Sequence, residues 1–158
     1  MIYKIFRIET ILLLALLCFT KCDFEDRGTC PPPPKILDLT WIQDLTLTVD
    51  YPSDSLHVEN NFTVRGEVSD LPIGHTIHVF VYPLSCDAWY PQSPTVTSNH
   101  TWSTSVYLGG TGTFHIGAMV VTDEQERIIN QDLSGNTKFY IHNISEEHNC
   151  AIITVITP

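Results

Sequence analysis

The chain of 158 residues is predicted to form a single all-β domain, an antiparallel β-sandwich of about seven strands, behind an N-terminal export segment. Two observations predict this fold class. Apolar and polar residues alternate with a period of two from residue 36 onwards, as the two faces of a half-buried strand require. Turn residues interrupt the alternation every ~8–12 residues, which is the spacing found in sandwiches of short strands.

The export segment comprises residues 1–21 and has the features of a signal peptide. Lys4 and Arg7 supply positive charge, and an apolar run follows from Ile11 to Phe19. This run is shorter than the ~20 apolar residues that a membrane-spanning helix needs. We therefore expect the protein to be exported, as either a cell-envelope lipoprotein or a secreted protein.

Cys22 distinguishes these two destinations. The apolar run ends just before it and the acidic segment 23–26 follows it, which resembles the start of a bacterial lipoprotein. Lys21 departs from the small residue that usually precedes a lipidated cysteine. We expect Cys22 to carry lipid, with simple cleavage after Thr20 as the alternative.

Residues 22–35 are predicted to be a tether, with the folded domain at 36–158. Four consecutive prolines, Pro31 to Pro34, favour an extended polyproline II rod without internal hydrogen bonds. Such a rod would hold the domain away from its anchor.

Period-two alternation predicts the strands of the domain. Trp102 lies on the apolar face of its strand with Val106 and Leu108, so we expect it to be buried. One short helix is predicted at 124–131. The predicted strands lie at 45–49, 62–68, 77–82, 102–108, 114–121 and 151–157, and the predicted turns at 51–54, 70–74, 90–94 and 109–112.

Several short motifs lie between Leu45 and about Asp123: Phe-Thr-Val-Arg-Gly66, Leu71-Pro-Ile-Gly74, Trp89-Tyr-Pro-Gln92, Thr101-Trp-Ser, Val106-Tyr-Leu-Gly109 and Gly112-Thr-Phe114. With these motifs, the stretch resembles a bacterial immunoglobulin-like module of surface and secreted proteins. The resemblance implies an immunoglobulin-like sandwich in an extracellular or envelope protein and implies no activity.

The same resemblance implies a cysteine pairing. In immunoglobulin-like sandwiches the first strand commonly runs parallel to the last, and parallel strands begin at the same end of the sheet. Cys30 precedes the first predicted strand and Cys150 precedes the last, so we predict a disulfide between them in the oxidising exported compartment. Pairing of Cys86 with either cysteine is the alternative.

Charge limits the partners. The formal net charge is −10, and removal of residues 1–21 takes away three bases and one acid, which lowers it to −12. Nucleic acids and anionic lipid surfaces bind basic patches. We expect no nucleic-acid partner, contact with a membrane only through the N-terminal lipid, and an extracellular protein or a glycan as the ligand.

The sequence contains no recognisable catalytic machinery, and we expect neither an enzyme nor a cofactor. Gly109 to Gly112 lacks the Gly-Lys-Ser/Thr of a phosphate-binding loop and is predicted to be a hairpin turn. Ser85, Cys86 and Asp87 are adjacent, but no motif places a histidine beside them, which makes a small hydrolase the least favoured function.

Metal binding is also disfavoured. His75 and His78 are three residues apart, which puts them on opposite faces of a strand, and the chain has no Cys-x-x-Cys pair for zinc. Asp123, Glu124 and Glu126 could bind calcium together with backbone carbonyls, although an exposed acidic turn is the preferred interpretation.

Two features bear on ligands and modification. Trp89 and Tyr90 could form an aromatic platform for a sugar or a protein, with packing at the end of the sandwich as the favoured alternative. Asn61, Asn99 and Asn143 begin Asn-x-Ser/Thr triplets and are candidate glycosylation sites. The predicted function is binding, adhesion or display, with a secreted glycoprotein or lectin-like domain as the alternative.

Overall fold

A computed structural model describes residues 35–132, 138–144 and 149–158. These residues form one helix, α1 (Asp123–Asp132), and ten strands. The strands are β1 (Lys35–Asp38), β2 (Leu56–His57), β3 (Asn61–Glu67), β4 (His75–Pro83), β5 (Tyr90–Pro91), β6 (Val96–Ser98), β7 (Thr101–Tyr107), β8 (Gly112–Thr122), β9 (Phe139–His142) and β10 (Cys150–Thr157).

The strands are arranged in three sheets. A five-stranded sheet has the order β2-β10-β8-β4-β5, a three-stranded sheet has the order β3-β7-β6, and β1 and β9 form a parallel pair. The predicted all-β class is confirmed, but the domain has ten described strands rather than about seven. The additional strands are two to four residues long, too short for alternation to reveal them.

The first core lies between the five-stranded and three-stranded sheets. Trp102 is 1% exposed there, as predicted, and its Nε1 donates a hydrogen bond to the carbonyl of Glu67 at 3.2 Å. In β3 and β7, the residues predicted to share the apolar face, such as Val64 and Val106, point into this core. Central members of this core are Val64, Val106, Ile77, Val79, Val81, Ile116, Ala118, Val120 and Val155.

A second core covers the opposite face of the five-stranded sheet. Phe80 and Met119 on that face are fully buried against the β1–β9 pair and α1. The strands at 77–82 and 114–121 were predicted to be half-buried, and this is wrong for their central residues because a third layer lies over them. A strand covered on both faces carries apolar residues at consecutive positions, as His-Val-Phe-Val81 does. The other members are Leu37, Leu39, Trp89, Val121, Ile129, Phe139, Ile141 and Cys150.

The glycine-rich segment 109–112 is not a hairpin turn, in contrast to the prediction. It follows β7 in the three-stranded sheet and leads into β8 in the five-stranded sheet, and these two strands do not pair. The segment therefore crosses between two sheets. The prediction failed because alternation identifies the flanking strands without identifying their partners.

The predicted strand at 45–49 is an irregular segment at the edge of β3. Leu45 and Leu47 are buried as the alternation indicates. Isolated bridges, Leu47 with Val68 and Tyr51 with Arg65, and separate hydrogen bonds such as that from the N–H of Thr48 to the carbonyl of Glu67 at 2.9 Å join the segment to its neighbours in place of a continuous ladder. The approach is close because position 66 is glycine: a Cβ there would lie 1.9 Å from the carbonyl oxygen of Thr48.

The predicted helix at 124–131 is confirmed as α1. Thr122 caps it, since the N–H of Gln125 donates to the Thr122 hydroxyl at 3.2 Å and the Gln125 side chain accepts from the Thr122 N–H at 2.8 Å. Asp123, Glu124 and Glu126 form the first helical turn rather than an irregular acidic turn. Negative charge at a helix N-terminus is favourable without any bound ion.

Candidate functional site

Trp89 is buried and Tyr90 is half-buried, whereas an aromatic platform for a ligand would expose both rings. Trp89 is 8% exposed and exchanges two backbone hydrogen bonds of 2.9 Å with Phe139 of β9. Its ring lies 5.1 Å from that of Tyr82 and covers Gly117 of β8. Tyr90 is half-buried and belongs to β5, which pairs with β4, although a turn was predicted at 90–94. This geometry favours packing for Trp89.

The segment 92–95 carries the chain from the five-stranded sheet to the three-stranded sheet. The N–H of Gln92 donates to the carbonyl of Val79, and its side-chain oxygen accepts from the N–H of Tyr107, both at 2.9 Å. The hydroxyl of Thr104 donates to the carbonyl of Ser93 at 2.8 Å. Gln92 of the Trp-Tyr-Pro-Gln motif therefore links the two sheets.

Ser85, Cys86 and Asp87 lie in the loop after β4. The Ser85 Oγ is 3.9 Å from the Cys86 Sγ, and the Tyr82 hydroxyl donates to Asp87 at 3.3 Å. Partial burial and then the Asp87 carboxylate raise the pKa of Tyr82. Among the described residues, no hydrogen bond connects a histidine to these three side chains.

His75 and His78 differ in environment, as expected for opposite faces of β4. His75 is half-buried, and its Nδ1 lies 3.3 Å from the carbonyl oxygen of Ile73. His78 is fully buried, 5.2 Å from the ring of Phe80, and neither ring nitrogen has a hydrogen-bond partner within the described part of the chain. Burial lowers the pKa of His78 to about 4, and the backbone of Gln92 opposes this shift. The described residues contain no cluster of three or more His, Cys, Asp or Glu side chains placed to hold a metal ion.

A shallow depression of about 460 Å³ lies beside the end of β3. Two hydroxyls of its lining accept hydrogen bonds from the backbone: Thr48 accepts from the N–H of Glu67 at 3.1 Å, and Ser69 accepts from the N–H of Thr46 at 2.9 Å. His100 Nδ1 and the Asp70 carboxylate are 3.9 Å apart and largely exposed. The depression therefore lies along the junction between the segment 45–51 and β3.

All three candidate glycosylation sites are exposed. Asn61 begins β3, and Asn143 follows β9. Asn99 and His100 both have positive φ, 48° and 64°, and form the two-residue turn between β6 and β7. Positive φ at both central residues is typical of a type I′ hairpin.

Cys22 and Cys30 lie outside the described residues, as does the signal segment. Cys150 is buried at the start of β10, opposite Met119 of β8. No two described cysteines form a disulfide. The predicted strand arrangement is wrong for β1, which runs parallel to β9, whereas the last strand runs parallel to β2.

The outer face of the three-stranded sheet is a surface that sequence reasoning missed. Alternate residues of β3, β6 and β7 point outwards, and Tyr51 joins them because it pairs with Arg65. The Arg65 guanidinium lies 5.5 Å from the centre of the Tyr51 ring. Tyr107, at the opposite corner, is 61% exposed. We call this surface the hydroxyl face; it comprises Tyr51, Asn61, Thr63, Arg65, Glu67, Val96, Ser98, Thr101, Ser103, Ser105 and Tyr107.

The chain matches no protein-family model and no curated protein. In the part of the chain that the structure describes, no helix combines the length and the apolar character needed to cross a bilayer.

Proposed function

We propose that the protein is a non-catalytic exported binding domain of immunoglobulin-like type, anchored to the cell envelope by lipid on Cys22 and used for adhesion, display or ligand capture. The observation that carries this proposal is the order of features along the chain. A signal-like segment ends at a cysteine, an acidic and proline-rich stretch follows, and β1 begins at Lys35.

The immunoglobulin-like assignment is supported by the first core. The three-stranded antiparallel sheet and the five-stranded sheet, which is antiparallel except for its β2–β10 pair, contribute to one apolar cluster, as in a two-layer sandwich. The β1–β9 pair and α1 would then be additions over one face of the sandwich.

The anchor is tested by membrane fractionation in a bacterial host. In the wild-type protein, we expect the chain to accumulate in the membrane fraction and to incorporate labelled fatty acid. Cys22→Ser should abolish the label, and the chain should become soluble or remain unprocessed because the acyl acceptor is lost. Cys30→Ser is the matched control and should retain both the label and the membrane location.

Unchanged labelling of Cys22→Ser would contradict lipidation at this residue. A wild-type chain released into the medium, without fatty acid, would instead identify a secreted protein. Secretion would favour the second candidate, a glycoprotein, because Asn61, Asn99 and Asn143 are all exposed. Mass spectrometry of the native chain would then show sugar on one or more of these residues.

A further inference from the structure

We propose that the hydroxyl face binds a neutral glycan, with Tyr51 and Tyr107 stacking on sugar rings at opposite corners. This inference deepens the proposed function by naming the ligand class and the site. It places the aromatic contacts on a different surface from Trp89, which is buried.

Charge is the first argument. The chain carries 18 acidic and 8 basic residues, yet the only charged residues of the hydroxyl face are Arg65 and Glu67, whose charges balance each other. On a charge-poor surface, few charged side chains have to lose their water when a ligand binds. Such a surface suits an uncharged ligand, whereas a cationic partner would bind better to the acidic remainder of the surface.

The polar chemistry of the face matches a sugar. Thr63, Thr101, Ser103 and Ser105 present hydroxyls, each of which can both donate and accept a hydrogen bond. Neighbouring hydroxyls of this sheet repeat about every 7 Å along a strand and about every 5 Å between strands. A polyhydroxylated chain lying on the sheet would find alternating donors and acceptors at these intervals.

The aromatic residues supply the apolar part of the contact. Tyr51 and Tyr107 are 42% and 61% exposed. From the register of the sheet they are separated by about 14 Å along the strands and about 10 Å across them. The π-face of a tyrosine attracts the C–H groups on one side of a sugar ring, and rings this far apart would contact different sugar units of one chain.

The size of the face argues against a second copy of this protein as the occupant. Three strands of up to seven residues cover roughly 350 Å², calculated from ordinary strand dimensions. A stable protein–protein interface buries about 800 Å² on each partner. An oligosaccharide needs a smaller surface.

The experiment uses the full mature chain, residues 22–158, purified in detergent from a host that leaves the Asn-x-Ser/Thr triplets bare. Unmodified Asn61 matters because it lies opposite Tyr107, where an attached sugar would cover the face. The chain is applied to an array of β-glucan, mannan and chitin oligosaccharides beside uronate-containing glycans. We expect binding to at least one neutral glycan and none to the acidic ones.

The best neutral oligosaccharide is then titrated calorimetrically. Tyr51→Ala and Tyr107→Ala should each weaken binding about tenfold. Ser105→Asp should abolish binding by placing a charge and an altered side chain at the centre of the face. Tyr140→Ala is the matched control, since Tyr140 is 38% exposed on β9, away from the face. Circular dichroism melts of all variants verify that they fold.

Absence of binding to every neutral glycan would overturn the inference, as would binding that both tyrosine substitutions leave unchanged. A dimer in analytical ultracentrifugation that Tyr107→Ala dissociates would also overturn it, in favour of self-association. These failures leave lipid anchoring at Cys22 intact. Cleavage of the bound glycan, seen as shorter products by mass spectrometry, would instead overturn the non-catalytic function.

Discussion

Trp102 organises the packing at one point of the first core. Its ring occupies the first core, its Nε1 is satisfied by the Glu67 carbonyl, and it lies 2.8 Å from where a Cβ on Gly66 would be. The glycine, the indole and the segment at Thr48 therefore pack as one unit. The sequence predicts the burial of Trp102 correctly, because the alternation of neighbouring residues shows which face of the strand each side chain occupies.

We expect Trp102→Ala to lower the free energy of unfolding by ~3–5 kcal/mol, because it removes a large buried side chain and leaves a cavity. Small domains have a total stability of ~5–15 kcal/mol, so the variant should be largely unfolded or melt far below wild type. Trp41→Ala, at a position 63% exposed, is the control and should melt close to wild type. Similar melting temperatures for Trp102→Ala and wild type would contradict this assignment.

At the scale of elements, β10 is the strand whose surroundings matter most for the predicted disulfide. Asn149, just before Cys150, donates to the carbonyls of Asn143 at 3.0 Å and Thr40 at 3.5 Å. Cys150 therefore lies near the end of β1, whereas Cys30 precedes its beginning.

The Cys30–Cys150 disulfide stays a prediction. If it forms, it closes a loop of about 120 residues, and the chain-entropy model gives ~4–5 kcal/mol of stabilisation. Non-reducing peptide mapping of the exported protein should then recover one peptide pair joining Cys30 to Cys150. A peptide joining Cys86 to either cysteine, or alkylation of Cys150 without reduction, would rule the bond out.

For the molecule as a whole, the third layer makes stability depend on pH. His78 lies in the second core, where burial lowers its pKa to about 4 from an ordinary value of ~6.5. The unfolded chain therefore binds more protons than the folded chain between these pH values. The contribution of His78 to stability is fully present above pH ~6.5 and decreases as the pH falls towards 4, by about 3 kcal/mol.

His78→Leu should flatten this dependence, since it leaves no group to protonate in the second core. Chemical denaturation at pH 7 and at pH 4.5 measures the difference, which should be smaller in the variant by about 2 kcal/mol. His57→Gln, at an exposed position on β2, is the control and should retain the wild-type dependence. Equal pH dependence in His78→Leu and wild type would show that His78 is not responsible.

The sequence by itself determined the local features: the five long strands, the short helix and the burial of Trp102. The strands and the burial of Trp102 follow from the period of two, which neighbouring residues establish together. The sequence also contains the Thr122–Gln125 capping pair, which could have located the start of α1.

Only the tertiary structure decided which strands pair, that a third layer covers the five-stranded sheet, and that segment 109–112 crosses between sheets. It also buried Trp89 while leaving Tyr107 exposed on the hydroxyl face. Alternation tells which residues share a face, but what covers that face depends on elements distant in the chain. β9 covers Phe80 from about sixty residues away in the sequence, and no local pattern around either residue records that contact.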